Sequence, residues 1–82
     1  MSKIYTDKRG WRYKVDYNKR NAAYDGCGYK VYYTRSRERD DESWWWPYVD
    51  PGTAYRATEA EAQADLDALA ARKGWRDVAD NE

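Results

Sequence analysis

Residues 58–75, TEAEAQADLDALAARKGW, constrain this chain more than any other stretch, because they hold its only two leucines and one unambiguous secondary-structure signal. Thr58 followed by Glu61 reads as a capping box. The hydroxyl takes an orphan backbone N–H at the third helical position, and the carboxylate reaches back to the N–H of the cap residue. A helix over residues 59–73 follows. Ala62, Leu66, Leu69, Ala70 and Lys73 recur at three- and four-residue spacing and form one narrow apolar stripe, while Glu59, Gln63, Asp67 and Arg72 fall away from it. Gly74 supplies the left-handed residue that ends the helix, and Trp75 is expected to fold back on Leu69 and Ala70. Everything earlier in the chain must find a face to pack on this helix.

The material for that face is aromatic. Aliphatic residues are scarce beyond Ile4, Val15, Val31, Val49, Leu66, Leu69 and Val78, whereas five Trp and nine Tyr supply all of the 17% aromatic content. Each such ring buries roughly 150–250 Å² and still offers an N–H or O–H at its edge. An 82-residue chain has room for one domain, and at this size it buries only about 60% of its unfolded surface, so a thin sheet covered on one face is the economical solution. Mean hydropathy of −1.27 taken alone suggests disorder, but the aromatic content and regular periodicities argue for a folded domain.

Strand signals precede the helix. Trp11, Tyr13, Val15 and Tyr17 alternate with Arg12, Lys14 and Asp16, and Tyr29, Val31 and Tyr33 alternate with Lys30, Tyr32 and Thr34. Residues 11–17 and 29–35 are therefore expected to pair as an antiparallel hairpin, joined by a loop over residues 18–28 with turn formers at both ends. A third strand is expected over residues 43–49, with Trp44, Trp46 and Tyr48 facing inward and Trp45 outward. Pro47 confines it to an edge or a strand end. Asp50-Pro51-Gly52 then reverses the chain. Ile4 and Tyr5 offer a fourth, edge strand, and Lys8, Arg9 and Gly10 a turn. The expected fold is α+β, one domain over residues 1–82, with an antiparallel sheet of three strands, or four, and one C-terminal helix packed on one face.

Composition restricts the chemistry. There is no histidine, which removes Cys/His zinc sites, Ser–His and Cys–His dyads and imidazole acid–base catalysis together. The single Cys27 excludes an internal disulfide and reads as an incidental loop thiol between Gly26 and Gly28. The carboxylates at residues 40–42 and at Asp65 and Asp67 have spacings that do not converge on one metal or substrate. The expectation is a non-enzymatic protein without metal or cofactor. No apolar run of membrane-spanning length occurs, which points to a cytoplasmic protein that does not engage a membrane.

Formal charge is zero, but the charge is divided. Residues 1–39 carry eleven Lys/Arg against four Asp/Glu, and residues 40–82 the reverse. Such asymmetry points to an interaction face for nucleic acid or for an acidic protein. Strand alternation sends Arg12, Lys14, Asp16, Lys30, Tyr32, Thr34 and Trp45 away from the helix. Lys19 and Arg20 join them from the loop, and Arg35, Arg37 and Arg39 from the strand exit. Cations around exposed aromatics bind phosphates electrostatically and bases by stacking, so Arg12, Lys14, Lys19, Arg20, Lys30, Tyr32, Arg35 and Trp45 form the candidate site. The same Trp/Tyr/Arg composition suits a protein interface. Two readings stand: a nucleic-acid-binding module, and a phage-type or accessory protein that binds and modulates another protein, through this surface or through the acidic helix.

The order of elements also resembles a family. Three strands, then an aromatic and a threonine ahead of a Glu-Ala helix, resemble the arm-type DNA-binding domain at the start of tyrosine recombinases of phages and integrative elements, and other small β-β-β-α modules of phage and bacterial genomes. The matching residues are Trp11-Arg12-Tyr13 and Tyr55, Thr58, Glu61 and Ala62. The resemblance implies a sheet that lies in the DNA major groove.

Overall fold

The computed structural model describes residues 3–35, 45–50 and 53–78. Ser43 and Trp44 of the expected third strand, the turn residues Pro51 and Gly52, Arg37, Arg39 and the acidic residues 40–42 lie outside them. The elements are β1 (Tyr5–Thr6), β2 (Arg12–Tyr17), α1 (Lys19–Asp25), β3 (Tyr29–Thr34), β4 (Trp46–Pro47), α2 (Glu59–Lys73) and β5 (Arg76–Asp77). The strands form one antiparallel sheet in the order β4-β3-β2-β1-β5. The α+β class is as expected, but among the described residues the sheet has five strands rather than three or four, and there are two helices rather than one.

The β2–β3 hairpin is the centre of the sheet. Its register pairs Tyr13 with Tyr33, Val15 with Val31 and Tyr17 with Tyr29, so the apolar members of both alternating runs share one face. On that face α2 buries Ala62, Leu66, Leu69 and Ala70. Tyr13, Val15, Val31, Ala62 and Leu66 form a continuous core, flanked by Tyr5, Trp11, Tyr29, Tyr33, Tyr48 and Trp75. Leu66 is fully buried, and truncating such a residue costs about 2–5 kcal/mol.

Both ends of α2 are built as anticipated, with one difference. Thr58 Oγ1 accepts from Glu61 N (3.2 Å), but the Glu61 carboxylate accepts from the Thr58 hydroxyl (3.0 Å) instead of reaching the cap residue's N–H. Gly74 takes φ 75°, and Trp75 N donates to Ala70 O (2.9 Å), the long bond of a Schellman ending. The Trp75 ring, expected on Leu69 and Ala70, stacks on Tyr13 across the core.

Three elements depart from expectation for identifiable reasons. The segment between β2 and β3 is a helix, not a loop. Asn18 Oδ1 accepts from Arg20 N (3.0 Å) and Asn21 N (3.1 Å), and Gly26 at φ 81° ends the helix with its N–H on Ala22 O (2.8 Å), so the apparent turn formers are its caps. α1 buries no residue, so it carries no apolar stripe to betray it. Its return is tight: a Cβ on Gly28 would lie 2.6 Å from Tyr17 Cε1 and 2.9 Å from Ala22 Cβ. At the other end, β1 is interior rather than an edge, because the chain beyond α2 returns as β5, pairing Arg76 with Thr6 and Asp77 with Tyr5. Those two residues show no alternation to read.

The third difference is β4, which is cut to two residues. Tyr33 pairs with Trp46 and Tyr32 with Pro47, a register that would bring residue 50 opposite Tyr29. Arg56 stands there instead, a register shift of six residues. Thr53 closes this excursion, its N–H donating to Asp50 O (2.9 Å) and its hydroxyl lying 3.0 Å from the carbonyls of both Tyr48 and Asp50. Arg56 then binds Asp65 through Nε (2.7 Å) and Nη2 (3.1 Å), tying the sheet edge to α2.

Candidate binding groove on the sheet face opposite the long helix

Alternation carries Arg12, Lys14, Asp16, Lys30, Tyr32 and Thr34 to the face away from α2, as expected, but that face is not bare. Trp45 crosses it, with the Lys14 ammonium 4.4 Å and the Arg12 guanidinium 5.6 Å from its ring centre. Cation–π contacts of this kind hold the indole against the sheet. Lys14 Nζ also lies 3.8 Å from Asp16 Oδ2. Farther along, the chain leading into α2 lays Tyr55 over β3, with its ring 5.4 Å from Lys30 Nζ.

Lys30 is the clearest correction to the sequence reading. Placed among the solvated cations by alternation, it is only 8% exposed, and its ammonium donates to Thr53 O. Burial lowers its pKa from the usual lysine value, against the partial support of Asp50 and Asp65. The looped-out segment after β4 supplies the cover, and alternation within β3 carries no information about it. Lys30 is a strut beneath Thr53 and Tyr55.

Arg35 is the second correction. Its number continues the odd series Tyr29, Val31, Tyr33, which faces α2, and its guanidinium lies 4.9 Å from the centre of the Trp11 ring. It lines a separate recess with Tyr33, Trp46 and Pro47. Trp46 is 44% exposed there and lies 6.0 Å, ring to ring, from Tyr33.

Of the remaining candidates, Lys19, Arg20, Tyr32 and Trp45 converge, whereas Arg12 and Lys14 lie against the Trp45 ring and do not line the groove. Asp16, Tyr17, Asn18, Lys19, Arg20, Tyr32 and Trp45 line one open groove of about 710 Å³ between α1 and the indole of Trp45. The caps of α1 set its geometry, since the Asn18 amide that starts the helix also donates through Nδ2 to the hydroxyls of Tyr32 (3.2 Å) and Tyr55 (3.3 Å). Burial, together with the Tyr55 hydroxyl beside it, pushes the Tyr32 phenol up from its usual pKa, so it stays protonated at neutral pH. Lys19 and Arg20 are exposed at the mouth. Asn18 and Tyr55 were absent from the sequence-derived site. The signal for Asn18 was its N-cap position; Tyr55 has no local signal, because a six-residue excursion brings it to the groove.

Among the described residues no group of three or more His, Cys, Asp or Glu side chains is placed to hold a metal ion, and no helix is long and apolar enough to cross a membrane. Comparison with known proteins gives no match: no family model, curated protein or solved structure matches the chain.

Proposed function

We propose that this chain is a small non-enzymatic module that binds nucleic acid through the face carrying Lys14, Trp45 and the groove beside α1. The observation that carries the reading is that Lys19 and Arg20 share one groove with the indole of Trp45, against which the Lys14 ammonium rests. Cations supply the salt-dependent attraction to phosphates, and an indole supplies a stacking surface that tolerates any base.

A salt titration of binding tests it. Fluorescence anisotropy with labelled DNA and RNA should give log Kd rising linearly with log salt concentration, by about 0.7–0.9 for each phosphate neutralised. Lys14→Glu and the double change Lys19→Glu/Arg20→Glu should weaken binding and flatten that slope with the fold intact. Binding that is absent, or indifferent to salt, would sink the proposal.

A second reading rests on the other recess. Trp46 exposed beside Tyr33, Pro47 and Arg35 has the composition of an interface anchor, and Val49 nearby is 92% exposed. A protein partner docked there would be lost on Trp46→Ala and retained after nuclease treatment, the reverse of the pattern for the groove.

A further inference from the structure

We infer that the groove between α1 and Trp45 takes a single unstacked nucleobase, so that the ligand is a single strand rather than a duplex; this rests on the nucleic-acid reading above. Asn18 Nδ2 carries two hydrogens, and the two phenol oxygens of Tyr32 and Tyr55 lie 3.2 and 3.3 Å away. Those phenols are 3.4 Å from each other, which occupies one of their two protons. The second has no acceptor among the described residues. With the Tyr55 hydroxyl donating to Tyr32, the Tyr32 hydroxyl is left as a donor beside the groove that it lines with Asn18.

An acceptor stands on the same wall. Asp16 Oδ1 accepts from Tyr17 N (2.8 Å) and Oδ2 lies 3.8 Å from Lys14, yet the side chain is half exposed, leaving lone pairs open to a ligand N–H. Donor, acceptor and the indole of Trp45 together match the polar edge and the π-face of a base. Lys19 and Arg20, which form no ion pair among the described residues, sit where the flanking phosphates would pass.

Shape decides between single strand and duplex. A sheet face can enter a duplex groove only if it is open, and here Trp45 and Tyr55 stand on it, leaving Tyr32 8% exposed. A base within a stacked duplex cannot offer its face to the indole of Trp45. A base from a flexible strand can.

The test compares a labelled single strand of about 12 nucleotides, as DNA and as RNA, with the corresponding DNA duplex at one salt concentration. The single strand should bind about tenfold more tightly, with quenching of tryptophan fluorescence, and Trp45→Ala should abolish that preference. Trp45→Phe keeps an aromatic wall and should retain it, which separates loss of stacking from loss of fold. Tyr32→Phe should weaken the single strand by several-fold and leave the duplex unchanged. Duplex binding equal to or tighter than single-strand binding, indifferent to Trp45, overturns the base pocket and leaves the nucleic-acid reading standing. Binding of neither overturns both.

Discussion

Trp75 lies face to face on Tyr13, ring centroids 3.7 Å apart and planes 11° from parallel, so the residue that ends the long helix is also the lid of the sheet's central ring. The Tyr48 ring meets both edge-on, at 5.7 Å from Tyr13 and 5.9 Å from Trp75. This cluster joins β2, the chain after β4 and the turn from α2 into β5. Trp75→Ala should therefore destabilise the domain by about 3 kcal/mol, the low end of the range for Trp truncation because the indole is only partly buried. A shift of the urea midpoint at constant m-value measures it, and an unchanged midpoint would remove Trp75 from the core.

The helix that Trp75 terminates should respond in two distinct amounts. Leu66→Ala opens a fully buried site and should cost about 2–5 kcal/mol, whereas Thr58→Ala removes one cap and should cost about 0.5–2 kcal/mol. Equal effects in denaturant titrations would mean that α2 is held by its ends and not by its stripe.

Legibility followed the range of the interaction. The boundaries of α2 were legible because cap and stripe are local and agree, and the β2–β3 register because a slip of one residue would turn every large ring outward. The shared presence of Lys14, Tyr32 and Trp45 on one face was legible from alternation alone. α1 was hidden because it buries nothing, β5 because two residues carry no period, and the burial of Lys30 because its cover arrives from a loop twenty-three residues away. Arg35 was misplaced although its odd number carried the information.

Asp7 predicts an acid limb. Burial pushes its carboxyl up, but hydrogen bonds from the Tyr13 hydroxyl (2.7 Å), the Arg9 guanidinium (2.8 Å) and the backbone N–H groups of Trp11 (3.1 Å) and Arg9 (2.9 Å) outweigh it and lower the pKa below 3.8. A carboxylate depressed by folding stabilises the domain above its unfolded value, and that contribution is lost as pH falls from 3.8 through the lower folded value. Asp7→Asn should lose stability at neutral pH and show a flatter acid limb. Parallel limbs in the two proteins, followed by circular dichroism, would contradict this role.

Lys30 separates a strut from a ligand contact. Its folded pKa lies below 10.5, so between the folded value and 10.5 the unfolded chain binds more protons, and stability rises with pH as the buried charge is relieved. Tyr13, Tyr32 and Tyr48 act in the opposite sense. Burial raises each phenol, so the stability they contribute is present below pH 10.0 and is lost as pH climbs through their folded values. Lys30→Met keeps the apolar stem that lies under Tyr55 and removes the charge. The rise should vanish in this variant while the tyrosine-driven loss at higher pH persists. Affinity for nucleic acid should stay within about twofold of the parent, because a buried ammonium bonded to Thr53 neutralises no phosphate. A large loss of affinity, together with a salt slope reduced by about one phosphate, would instead return Lys30 to the binding surface.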